Sequence, residues 1–98
     1  MPTDSLTDLL ATLHSHLEAT GECAVAPKES RWLGEAEAIA ADLRYAEDLD
    51  AATVRERAEK VRRLLGEVDD TGNEDANEHL AAANRCLDRL DDALEEAA

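Results

Sequence analysis

Ninety-eight residues suit one domain with one modest core, and the core material is thin: 14 Leu, 4 Val, 1 Ile and no Phe. Twenty-four acidic residues against ten cations give a formal net charge of −14, which disfavours a phosphate-binding surface over most of the chain. There is no long apolar run and no basic leader, so the expectation is a cytoplasmic protein with no membrane span.

So few aliphatic residues with so high a charge indicate disorder unless they are patterned. The other compositional signal is salt. Nineteen residues are Ala, and only Lys28 and Lys60 among the ten cations are Lys. An acidic, Ala-rich, Arg-over-Lys chain suits a salt-loving cytoplasm, because at ~1 M salt the Debye length falls to about 3 Å and self-repulsion is muted. Two cysteines, Cys23 and Cys86, make no disulfide framework there and read as small apolar thiols.

Four helical stripes appear in chain order, with no strand-like alternation. Helix one covers about residues 6–20, with Thr3 or Ser5 as its cap and Gly21 as its stop. Leu6, Leu10, Leu13 and Leu17 repeat at 4-3-4 spacing, with Leu9 beside them. "GECAVAPKE", residues 21–29, is the longest link, and Pro27 either opens helix two or stays in the loop. Helix two covers about 28–48, and its expected inner stripe is Trp32, Ala36, Ile39 and Leu43. Helix three covers about 51–68 behind an Asp50 cap, with Val54, Ala58, Val61, Leu65 and Val68 inward. "DDTGNED", residues 69–75, breaks the chain at Gly72 and offers Asn73 as the next cap. Helix four covers about 74–96, with Ala76, Leu80, Ala83, Leu87, Leu90 and Leu94 in register. The stripes defeat the disorder reading and predict one all-α domain over residues 1–98, an up-down-up-down four-helix bundle.

The histidines and cysteines are the first candidates for chemistry. At 100° per residue, His14 and His16 lie about 80° to either side of the leucine stripe, so one helix cannot aim both at one ion. They read as boundary residues half-covering the core. His79 and Cys86 share a flank of helix four but sit about 10.5 Å apart along its axis, too far to share a zinc ion. A site assembled across helices, such as His14 with His79, stays open as the alternative: a ligand- or metal-binding regulator. Arg85 and Arg89 are expected to face away from Cys86.

Other motifs fail. The acidic break has Glu74 where a calcium loop needs Gly, and Leu80 where it needs Glu. Glu56 with Glu59, and Glu67 with Asp70, have magnesium-type spacing but lie along one helix and its exit. Ser5, Ser15 and Ser30 have no nucleophile-elbow context. The expectation is therefore no catalytic residue, no metal and no cofactor.

Two faces are informative. Residues 51–68 carry Arg55, Arg57, Lys60, Arg62 and Arg63 against Glu56, Glu59 and Glu67. Five cations against three acids leave +2 on this helix and −16 on the rest, which suits cross-helix charge pairs better than nucleic acid. Helix two carries Gly34, Ala38, Ala41 and Tyr45 on the side opposite its Trp32 stripe. A helix apolar on both sides is central or covered by a partner. The expected function is non-catalytic protein–protein contact, with a protein partner or a second copy on that back face.

"LHSHLEAT" at 13–20, "SRWLGEAEAIA" at 30–40 and "EVDDTGNEDANEHLAAA" at 67–83 together resemble a small haloarchaeal protein family of unknown function. The resemblance spans most of the chain. It implies lineage and a soluble helical fold, with no activity and no site residues to carry over.

Overall fold

The computed structural model describes residues 5–97 and holds four α-helices: α1 Leu6–Thr20, α2 Pro27–Tyr45, α3 Ala51–Leu65 and α4 Glu74–Ala97. Each start has a local cause. Ser5 lies in extended backbone and its hydroxyl accepts the Asp8 amide at 3.1 Å, satisfying one of the donors that a helix start leaves open. Thr3, the other expected cap, lies outside the described residues. Pro27 opens α2, where its fixed φ suits the helix and its missing N–H is not needed. Asp50 accepts from the Thr53 amide at 2.7 Å, and Asn73 accepts from the Ala76 amide at 3.0 Å.

Two helices end before their expected bounds. α2 stops at Tyr45 rather than near 48. Continuing would set Glu47 and Asp48 at the negative end of the helix dipole. Asp48 instead takes a positive φ of 58°, a turn conformation that Asp tolerates better than most residues. α3 stops at Leu65 with Gly66 as its C-cap, yet Val68 beyond it is still buried.

α1 packs against α2 and α4, and α3 packs against the same two, so α1/α3 and α2/α4 are the diagonals. Cross-helix contacts fix the direction. Leu9 meets Cys86 and His16 meets His79, while Arg55 reaches Leu94 and Arg62 reaches Asp88. In each pair of helices one number rises as the other falls, so neighbours run antiparallel. The result is an up-down-up-down four-helix bundle. Leu13, Leu17, Val54, Val61, Leu87 and Leu90 form its sealed centre.

The stripes expected for α3 and α4 are the buried ones, as are Leu9, Leu10, Leu13 and Leu17 of α1. α2 differs. Its buried residues are Leu33, Ala36, Ala40 and Leu43, while Trp32 and Ile39 are half-buried against the core. The inward direction is thus rotated from the expected stripe. α2 is flanked by both α1 and α3, so its covered arc is wide, and Trp32 and Ile39 form one edge of it. Alanines at 36, 38, 40 and 41 ring this helix, leaving hydrophobicity alone unable to say which side faces in.

The link from α3 to α4 is a hydrogen-bonded knot. Thr71 is fully buried; its amide donates to Asn77 Oδ1 at 3.1 Å, and the Asn73 amide donates to Thr71 Oγ1 at 3.1 Å. Asp70 accepts from the Gly72 amide at 2.8 Å and from Asn77 Nδ2 at 3.1 Å, and these donors hold its carboxyl below the ordinary value. Gly72 has φ 78°, the left-handed region that glycine enters without a Cβ clash. The acidic break is thus a capping loop whose central carboxylate already has its donors.

Leu13 is fully buried between α1 and its neighbours. Leu13→Ala should lower unfolding free energy by about 2–5 kcal/mol, read as a shifted denaturant midpoint followed by circular dichroism. An unchanged midpoint would place this leucine outside the core.

Candidate functional site

α1 presents its two histidines to different neighbours. His14 points toward α2 and is 3 % exposed, a buried residue rather than the half-covering one expected. α2 closes over it. Arg44 Nη1 donates to His14 Nδ1 at 3.0 Å, the Tyr45 ring meets the imidazole edge-on at 5.9 Å between centroids, and the Arg44 guanidinium lies over Tyr45 at 5.2 Å. A guanidinium can only donate, so Nδ1 must accept and the neutral ring carries its proton on Nε2. That nitrogen faces Glu37 Oε1 at 3.7 Å and Glu18 Oε2 at 4.0 Å. These distances exceed hydrogen-bond reach and give a through-space attraction.

His14, Glu18 and Glu37 are the described residues whose three ligand atoms lie close enough together to hold a metal ion. The signal in the sequence is His14 and Glu18 at i, i+4, which scanning for His and Cys alone misses. Arg44 works against the site. A ligating histidine normally donates its other N–H to an acceptor, whereas here the other nitrogen accepts from a cation. Binding through Nε2 would require the ring to lose its last proton or Arg44 to leave.

His16 points the other way, to α4, where its Nδ1 lies 3.1 Å from Nδ1 of His79. The ring centroids are 5.3 Å apart and the planes are tilted by 42°. The cross-helix histidine pair is therefore His16 with His79, not His14 with His79, because α1 sends His14 to the opposite side. Burial, the neighbouring His79 and Arg85 hold the His16 pKa below its ordinary 6.5, burial being the largest cause.

Arg85 and Arg89 line the same α1–α4 groove as Cys86 and His16, rather than facing away. Cys86 itself is buried and donates to the Leu9 carbonyl at 3.1 Å, which fits a close approach of α4 to α1. Cys23 is half-buried and donates to the Ala19 carbonyl at 3.4 Å; neither cysteine is in a disulfide. Glu56, Glu59, Glu67 and Asp70 are all exposed. Arg62 of the basic helix forks across two acids of α4, to Asp88 at 3.1 Å and Asp91 at 2.8 Å.

On the outer side of α2, Gly34, Ala38 and Tyr45 are exposed and Ala41 is half-buried. Tyr45 is the exposed large hydrophobic residue among those described, at 69 %. A Cβ built on Gly34 would meet nothing within 4 Å, so the bundle itself does not require glycine there. Arg31 and Asp42, also exposed, border the same face.

These features belong to an antiparallel all-helical bundle with a sealed histidine–arginine pair on one side of α1 and an open histidine pair on the other. No described helix is long and apolar enough to cross a membrane. The chain belongs to the family described as a domain of unknown function (DUF8152), whose model matches residues 9–96 and so takes in nearly all of the bundle. No curated protein and no solved structure matches the chain.

Arg44→Ala leaves the buried His14 Nδ1 without its donor, and should lower stability by about 1–3 kcal/mol in denaturant melts. His16 has the opposite kind of consequence, one set by pH. Its folded-state pKa is depressed, so between that value and the unfolded 6.5 the unfolded chain binds more protons. Stability should therefore fall as pH drops below about 6.5 and level off beneath the lowered folded value. His16→Asn should remove that fall; the same acid-side slope in wild type and variant would assign it elsewhere.

Proposed function

We propose that this is a non-catalytic interaction protein of a salt-rich cytoplasm, which pairs with a second copy of itself through the outer face of α2. The observation that carries this is the small-residue face of Gly34, Ala38 and Ala41 ending in the exposed Tyr45, opposite the buried stripe of the same helix. Small residues permit close backbone approach, and an aromatic at the end supplies an anchor.

Charge selects the second copy as the occupant. Arg31 borders the face near its start, where it also lies 4.0 Å from Glu35, and Asp42 borders it toward its exit. Two α2 helices laid antiparallel about a twofold axis at Ala38 would bring Arg31 of each copy to Tyr45 of the other. Such an arrangement is self-complementary, as a twofold interface requires. A parallel pairing would set like charges together. One helix pair is small beside the ~1,200–2,000 Å² of a standard interface, so the dimer is weak and concentration-dependent.

A non-catalytic role fits the use of the polar groups on structure. Arg44 serves His14, Arg62 binds α4 to α3, and Thr71 ties the loop. The +2 of helix three is partly committed to Asp88 and Asp91 and faces −16 elsewhere, which favours a protein partner over nucleic acid. The salt-rich setting is supported by the charge itself, since −14 on so small a body repels unless screened.

Sedimentation equilibrium in about 2–3 M NaCl, where surface charge is screened, should show a concentration-dependent dimer. Ala38→Glu should be monomeric with an unchanged helical spectrum; a wild type that stays monomeric at millimolar concentration would refute the pairing. Far-ultraviolet circular dichroism should show helix lost in dilute buffer and regained at molar salt, and a fully helical spectrum without salt would refute the halophilic reading.

A further inference from the structure

We propose that His16 and His79 form a two-nitrogen site for one divalent transition ion, with both Nδ1 atoms as ligands, so that the ion staples α1 to α4. The two nitrogens are 3.1 Å apart and belong to residues on different helices, 63 positions apart in the chain. Two imidazole nitrogens at about 2.0–2.1 Å from one ion, in adjacent coordination positions, are themselves about 2.9–3.4 Å apart. The existing separation thus already has the bite of a shared ion, and seating one needs a swing of two half-buried rings rather than movement of the bundle.

The protonation chemistry suits this. Two nitrogens at this distance can hold one proton between them: one ring donates from Nδ1 and the other accepts. Moving that proton to the far nitrogen of its own ring frees two facing lone pairs, which a metal ion satisfies in place of the proton. Both imidazoles stay neutral, and no net proton is released. His14 contrasts with this, since a guanidinium already occupies the Nδ1 lone pair there.

Donor type selects the ion. Neutral nitrogen ligands favour Zn²⁺, Ni²⁺ or Cu²⁺, whereas Mg²⁺ and Ca²⁺ need oxygen. Arg85 lines the adjoining groove and opposes any cation, proton or metal, so binding rests on bonds to nitrogen rather than on local charge. Solvent in the same groove completes the coordination. The site lies on α1 and α4 and is separate from the outer face of α2, so it can be read in the monomeric Ala38→Glu background whether or not the protein dimerises.

Isothermal titration with NiCl₂ at neutral pH in molar NaCl tests this. One Ni²⁺ per chain is expected, with a rise in Tm that a chelator reverses. His16→Asn and His79→Asn should each weaken binding at least ~10-fold. Glu37→Gln should leave it unchanged. Binding that survives both histidine variants places the ion on the acidic surface and overturns the proposal. So does loss in Glu37→Gln alone, which moves the ion to His14, or the absence of any heat or Tm shift at millimolar Ni²⁺. Should either histidine variant fail to fold, Cu²⁺-loaded wild type provides the second measurement: its electron paramagnetic resonance spectrum must show splitting from two nitrogens, and an all-oxygen spectrum overturns the assignment.

Discussion

Burying a small stock of aliphatic side chains beneath a shell of like charge is the constraint on which the structure depends. Leu13, Leu17, Leu87 and Leu90 reach full burial only because four helices close around them together. No two-helix fragment can hide its stripe on both flanks. Against this closure stands a net charge of −14, and among the described residues only a few opposite charges meet in good geometry. Arg62 between Asp88 and Asp91 is one such place, and it joins the basic helix to the acidic one at their surface. Its side chain is 38 % exposed, so the pair contributes at most about 1 kcal/mol, and the core carries the bundle.

Closure also decides what each histidine can do. His14 and His16 are two residues apart on one helix, yet their chemistry diverges because α2 covers one side of α1 and α4 the other. On the α2 side a guanidinium occupies one nitrogen and carboxylates face the other, giving a neutral, oriented and sealed ring. On the α4 side two imidazole Nδ1 atoms face each other across 3.1 Å, a distance at which one can donate to the other. The first arrangement stabilises a fold; the second leaves lone pairs that can be redistributed.

The sealed histidine is also connected to the outer surface. Tyr45 touches the His14 ring and lies beneath the Arg44 guanidinium while most of its own surface stays exposed. An aromatic held at both edge and face loses little freedom when something docks on it, which favours a residue of this kind as an anchor. The proposed pairing face thus shares Tyr45 with the group that closes α2 over α1. The proposed metal site is on other helices and is independent of it.

Helix number, order and starts were legible in the amino-acid sequence, because caps and periodic leucines are local: Ser5, Asp50 and Asn73 act on amides within three residues of themselves. The opposed directions of His14 and His16 follow from helical geometry alone in the same way. Three things were not legible. The inward side of α2 is blurred by its ring of alanines, and only its two neighbours set the buried arc on Leu33, Ala36, Ala40 and Leu43. The full burial of His14 depends on Arg44, thirty positions away, and the partner of His16 depends on the register between α1 and α4. Periodicity states which residues share a face, but which face meets which neighbour, and at what height, is settled only when four helices pack at once.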